Sequence, residues 1–285
     1  MLTPIYDLYT TTWGYVKDRS LLFYDMYPGD IKVVKNIVQR LLKEPAKLPS
    51  GGVLTARRFL QLGLALGGSP SSFTSLHYLL SSAFLDPTDP NSDFTTSFLK
   101  EVTVEQPFEQ HPIFYWLHEA IYADGPENTS TNWAAHRAYE DLVRKDKQFD
   151  YVYTSSVDDD NQPTLFFGEM VSPWMTEDYE DLSGIGLQEV AYGLAVKTDW
   201  THLYNEERIR QVLSDGTSSA AAAVYHGDMY VDFQASMKVT ARGAPLENCK
   251  AWITNDYQHS GLRDAGAMIF PKLHGMASGY IRTPS

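Results

Sequence analysis

Asp228 and His259 stand 31 residues apart, and each lies just beyond a short apolar run. A carboxylate that holds an imidazole in one tautomer and stabilises its cation makes that imidazole a general base. Such a base serves a hydroxyl nucleophile, which is weak unless its proton is removed. Nucleophile, then acid, then histidine is a recurring chain order for this chemistry, and Asp228 and His259 suit its second and third members. The serine of such a relay commonly sits in Gly-x-Ser-x-Gly, between a strand and a helix. Gly67-Gly68-Ser69-Pro70-Ser71 lacks the final glycine, and Pro70 suits a turn. Gly216-Thr217-Ser218-Ser219-Ala220 follows a predicted helix and precedes a predicted strand, the reverse of that context. Neither is a credible nucleophile.

Other chemistry is poorly supported. His118-Glu119 opens like a zinc-peptidase motif, but position 122 is Tyr, so no metal is expected. Asp158-Asp159-Asp160-Asn161 lacks the glycine and distant glutamate of a calcium loop and reads as a solvated turn. His77, His111, His118 and His136 show no ligand spacing and read as packed or surface histidines. Cys249 is the single cysteine, which excludes an internal disulfide and reads as a buried, inert thiol in a reducing compartment. Asn128-Thr129-Ser130 is a glycosylation sequon, without weight in the absence of a secretory signal. No cofactor motif is found.

The elements that must position the pair follow from periodicity. Ser218–Tyr225 and Lys250–Thr254 read as strands, each followed at once by one of the two loops. Asp232–Gly243 between them reads as a helix, so the order is βαβα with parallel strands. Alanine favours helix, so Ala220–Ala223 is the weaker strand signal. Upstream the texture is helical. Val33, Val34, Ile37, Val38, Leu41 and Leu42 recur at helical spacing within 16–45, and Pro28-Gly29-Asp30 breaks that stretch. Thr55 suits a cap for a helix through Leu66. Further helices are predicted at 73–84, 94–101, 112–122 and 132–144, one within 178–195, and one at 206–213, with no confident strand before 145.

With 23 basic against 36 acidic residues among 285, the net charge is −13, which argues against nucleic acid as a partner. An apolar fraction of 43% fits a globular protein. No apolar run is long enough for a membrane span. The start of the sequence shows no secretory leader, so a cytoplasmic location is expected.

Longer stretches carry a resemblance. They are Leu48-Pro49-Ser50-Gly51-Gly52-Val53-Leu54-Thr55-Ala56-Arg57-Arg58-Phe59, Leu76-His77-Tyr78-Leu79-Leu80, Leu117-His118-Glu119-Ala120-Ile121-Tyr122 and Asn132-Trp133-Ala134-Ala135. Gly168-Glu169-Met170-Val171-Ser172-Pro173-Trp174-Met175 follows. The series ends with Ala223 to Asp232, around His226-Gly227-Asp228, and with Trp252 to Arg263, around Asn255-Asp256-Tyr257-Gln258-His259. In this order they resemble the C-terminal part of the prolyl aminopeptidases (proline iminopeptidases), in the longer fungal and actinobacterial form of that serine peptidase family.

The resemblance implies an α/β-hydrolase fold, represented in part. A large helical cap over 1–170 would be followed, over 171–285, by the C-terminal strands and helices of a mainly parallel sheet, the N-terminal half of the sheet being missing. It implies Asp228 and His259 as the acid and histidine of the triad. It places the serine and oxyanion loop before the cap, ahead of this sequence, so this chain alone is expected to be inactive. The substrate would be a peptide with a free N-terminal proline or small residue, its ammonium held by cap carboxylates. Glu119 and Glu169 are the first candidates and Asp232 the third. Phe114, Tyr115, Trp116, Trp133 and Trp174 would line an apolar proline pocket or fill the core. The missing half would act in cis or in trans. The competing readings are a pseudoenzyme that binds peptide amines without turnover, and a nonfunctional remnant. A few strands with an open edge are expected to be poorly soluble alone.

Overall fold

The computed structural model describes residues 4–126 and 130–283. Asn128 and Thr129 of the sequon lie outside them. A helical layer comes first: α1 (Ile5–Met26), α2 (Asp30–Lys43), α3 (Ala56–Leu60), α4 (Ser71–Ser81), α5 (Thr96–Val104), α6 (Pro107–Gln110), α7 (Pro112–Leu117), α8 (Ala134–Lys145) and α9 (Tyr151–Ser156). Two short helices, α10 (Met175–Asp178) and α11 (Leu187–Val196), continue it past residue 170.

The expected helices form where the apolar spacing places them. In α2 the residues Ile31, Val34, Ile37, Val38 and Leu41 are buried along one face. Thr55 caps α3 by accepting from the Arg58 amide, and the chain continues as a 3-10 helix through Gln61–Gly67. Three differences stand out. Helix α1 begins eleven residues before the predicted start at 16. Residues 46–47 pair antiparallel with 53–54 in a two-residue ladder, β1 with β2, where no strand was expected. Residues 119–122 tighten into a 3-10 turn rather than continuing α7.

One buried cluster runs from Leu8 to Ala191 and takes in Met229. Its largest fully buried side chains include Phe23, Phe59, Phe98, Phe108 and Phe166. An extended strip, 163–168, threads this core without joining a sheet. Its backbone is satisfied instead by local partners: the Phe167 amide donates to Leu60 O (2.8 Å), the Phe166 amide to Ser20 Oγ (3.2 Å), and Tyr24 Oη donates to Thr164 O (2.6 Å). Buried polar backbone needs such partners.

After α12 (Glu206–Ser214) come the predicted strands. Strands β3 (Ala221–Tyr225) and β4 (Lys250–Thr254) pair in parallel, joined by α13 (Phe233–Thr240). Helices α14 (Gly261–Asp264) and α15 (Gly266–Ala277) follow, with α15 packed on both strands. The molecule is thus mixed and mainly helical, with few strands among the described residues. No helix among them is long and apolar enough to cross a membrane.

Candidate active site

Asp228 leaves the end of β3 in a turn and is buried, at 4% exposure. Its Oδ1 accepts from the amides of Tyr230 (2.8 Å) and Val231 (3.0 Å), which fixes the carboxylate plane. Its Oδ2 meets His259 Nδ1 at 3.0 Å. Nδ1 therefore carries a hydrogen, and Nε2 is left to accept a proton. The Asp228 hydrogen bond raises the His259 pKa, and partial burial opposes the rise. The imidazole side chain is 44% exposed, so its outer nitrogen is reachable. Among the described residues no hydroxyl hydrogen-bonds to Nε2.

The helical layer holds both loops. Tyr230 stands edge-on to His259, with ring centroids 4.7 Å apart at 85°, and donates its hydroxyl to Leu64 O. Arg19 in α1 donates to Leu66 O (2.7 Å) and to Gln258 Oε1 (2.9 Å), one residue before the histidine. The Ser260 amide, one residue after it, donates to Gly68 O at 3.0 Å. Gly67 permits this approach: a Cβ there would stand 2.8 Å from Tyr230 Cζ and 2.9 Å from Met229 Cβ.

Glu169 arrives from the other side, at the end of the buried strip. Gln61 donates its amide to Gly168 O, and His118 Nε2 meets Glu169 O at 3.0 Å. Burial lowers the His118 pKa to about 4, so this imidazole stays neutral and donates. These contacts fix the backbone and leave the carboxylate itself without a hydrogen bond among the described residues. Burial pushes the Glu169 pKa up to about 7, the charge of Asp228 adds to the rise, and His259 opposes it. Tyr122 and Tyr230 also feel this carboxylate. The Tyr122 phenol is pushed up to about 12 by burial first and then by Glu169. The Tyr9 hydroxyl is buried without a partner, its pKa well raised by burial and by Glu119 and Glu169. A buried carboxylate without a donor, close enough to the Asp–His couple and to Tyr9, Tyr122 and Tyr230 to perturb them electrostatically, suits a cationic ligand.

Glu119 is also buried, at 5% exposure, but it is occupied. Oε2 accepts from the Ala134 amide (3.1 Å) and Oε1 from the Ala135 amide (3.0 Å). It thus caps α8 from outside the helix, behind Asn132 and Trp133, both with positive φ (46° and 55°). Burial raises its pKa, and the Ala135 amide, the Thr131 side chain and the Ala134 amide pull it back. Asp232 is the N-cap of α13, Oδ1 accepting from the Ala235 amide at 2.6 Å.

The aromatic candidates separate. Tyr115, Trp116 and Trp133 line a small cavity of about 20 Å³ beside Glu119. Trp174 lines another, of about 130 Å³, and Phe114 stacks on Phe108. His77 forms a second Asp–His couple, Nδ1 to Asp30 Oδ2 at 2.8 Å, and stacks on Tyr27 at 4.2 Å, where it pins α4 to the start of α2. Cys249 is half-buried, and burial raises its thiol pKa. No cluster among the described residues has metal-ligand geometry. Sequence reasoning missed Tyr9, Arg19, Tyr122 and Tyr230. Tyr122 and Tyr230 sit within recognised stretches, whereas nothing local marks the other two.

No family model matches the chain. It is 35% identical over 267 residues to a proline iminopeptidase of Aeromonas sobria, covering 94% of this chain and 56% of that protein. It is 28% identical over 262 residues to the proline iminopeptidase aneH of Aspergillus aculeatus, covering 90% and 52%. The chain spans about half the length of the curated relatives it matches.

Proposed function

This chain is a relative of the proline iminopeptidases over nearly its whole length, and from that premise we propose that it carries the acid–base and amine-binding half of a serine aminopeptidase. The supporting observation is His259 paired to Asp228, with the buried Glu169 carboxylate, itself without a hydrogen bond, within the electrostatic reach of both.

In this reading the ammonium of an N-terminal proline, or of a small residue, pairs with Glu169. That places the first peptide carbonyl near His259 Nε2. A serine hydroxyl from a segment outside this sequence, in cis or in trans, attacks the carbonyl carbon as Nε2 takes its proton. Asp228 stabilises the imidazolium. The same proton then goes to the departing peptide nitrogen, and water repeats the cycle on the acyl ester. Glu119 supports the site as a cap rather than touching the amine, and Asp232 does the same for α13.

The fold that goes with this reading is part of an α/β hydrolase. Residues 1–170 are mainly its helical cap, and 171–285 return to the core. Strands β3 and β4 form a two-stranded parallel sheet, and parallel sheets are normally wider and covered on both faces. Further strands beside them would complete it. A cytoplasmic location accords with this peptide chemistry.

Binding and turnover separate the two forms of this reading. Prolinamide should bind the chain, seen by calorimetry, and should shift the His259 ring resonances. Glu169→Gln should abolish that binding. Absence of binding to the wild-type chain would refute the proposal. Prolyl-aminomethylcoumarin then tests chemistry, alone and with a segment that supplies a Gly-x-Ser-x-Gly turn. The open Nε2 favours a second reading, amine binding without turnover, and binding that never leads to release would establish it.

A further inference from the structure

A groove of about 550 Å³ lies beside the candidate site, between α1, the 119–122 turn, the loop before α12 and α13. Its floor is apolar. Ile121, Tyr204 and Val231 face it while 57%, 59% and 49% exposed, and Leu8 and Val239 close its base. All its charged lining residues are acidic: Asp124, Glu206 and Asp232. Its size is that of an ordinary ligand cleft.

The groove adjoins the Asp228–His259 couple through Tyr230. Tyr122 and Tyr230 belong to its wall, and both phenols lie in the field of Glu169. Tyr230 is also the ring against His259. A peptide whose amino end is held at Glu169 and whose first carbonyl lies at His259 must send the rest of its chain outward, and the groove begins at Tyr230, beside His259. Asp232 adds negative charge to this wall, one oxygen serving the α13 cap and the other buried beside the Tyr15 hydroxyl.

Resting on the proposed function, we propose that this groove is the subsite for the peptide beyond the scissile bond, and that it selects an apolar residue directly after the proline followed by a basic one. The apolar floor takes the first side chain. The acidic wall favours the second and repels acidic peptides.

Calorimetry on the full chain with three probes tests this. They are Pro-Leu-Arg-amide, Pro-Asp-Glu-amide and prolinamide, all without a C-terminal carboxylate. Pro-Leu-Arg-amide should bind about tenfold tighter than prolinamide, and Pro-Asp-Glu-amide no tighter than prolinamide. Ile121→Arg, at an exposed position, should erase the advantage. Tyr78→Arg, at a position 67% exposed and outside the groove, should keep it. Equal binding of the three probes, or an advantage that survives Ile121→Arg, overturns the groove while leaving the amine site standing. Failure of prolinamide itself to bind overturns the amine site and the groove with it.

Discussion

Glu169 should make the folded chain less stable because its carboxylate is buried without a hydrogen-bond donor. Its pKa moves from 4.5 to about 7 on folding, with burial as the largest cause. At about 1.4 kcal/mol per pH unit, ionising it in the folded chain costs about 3 kcal/mol. The residue is not fully buried, so solvent should reduce the measurable cost to about 1–2 kcal/mol. The sign follows from proton linkage. Between the two pKa values the folded chain holds a proton that the unfolded chain has lost, so stability falls as pH rises through that window. Above it the penalty is constant. Glu169→Gln removes the ionisation and keeps the shape. Urea unfolding should therefore find the variant more stable than wild type by about 1–2 kcal/mol at pH 8, with the difference shrinking towards zero near pH 4. The His259 titration should move down in the same variant, because the Glu169 charge is one of the causes that raise it. A stability difference independent of pH would refute the reasoning, and so would a variant less stable at pH 8.

Asp228→Asn should lower the His259 titration midpoint, followed by its ring protons in NMR, since the Asp228 hydrogen bond is the largest cause of its rise. The raised histidine contributes stability below its unfolded pKa and loses it as pH climbs through the folded value, so the variant should lose that part of the pH profile; an unmoved midpoint would contradict the pairing. Gly67→Ala places a methyl 2.8 Å from Tyr230 Cζ and should cost about 1–3 kcal/mol in urea unfolding while disturbing the His259 resonances. Glu119→Ala strands two amides at the start of α8 and should cost about 1–3 kcal/mol, whereas Glu119→Gln, which keeps one acceptor, should cost less; equal stability of both with wild type would remove the cap.

The pairing of Asp228 with His259 was legible because each residue lies in the loop after a strand, and in a parallel sheet such loops share one edge. Strand β4 follows its apolar run at Lys250–Thr254, and β3 starts three residues later than the run suggests, at Ala221. The helices of the first part followed from spacing, except the start of α1. There Thr10, Thr11 and Thr12 dilute the helical signal ahead of Gly14, and packing of Leu8, Tyr9 and Trp13 decides the outcome. What stayed hidden is how Glu169 is delivered. The strip at 163–168 has no periodicity to read, because its backbone is satisfied by Ser20, Tyr24 and Leu60, far away in sequence. Nor does a local pattern separate Glu119 from Glu169. Both are glutamates in recognisable stretches, and only the partners differ: two amides and the Thr131 side chain for one, none for the other.

Those partners also explain how the site keeps its shape on so small a sheet. Two paired strands do not make a stable sheet unaided, and Ala221, Ala222 and Ala223 are only half-buried. Met229, in the Asp228 loop, is more buried than those strand alanines, at 2%, and belongs to the core of the helical layer. Tyr230 reaches Leu64, Arg19 bridges Leu66 and Gln258, and Ser260 reaches Gly68, so three links fasten the two loops to the 3-10 segment and its cap. The same 3-10 segment contributes Gln61 to the Gly168 carbonyl beside Glu169. The segment 61–68 is therefore the common reference for Glu169, Asp228 and His259. A change there should move all three together, whereas a change in β3 or β4 should reach the site only through the loops.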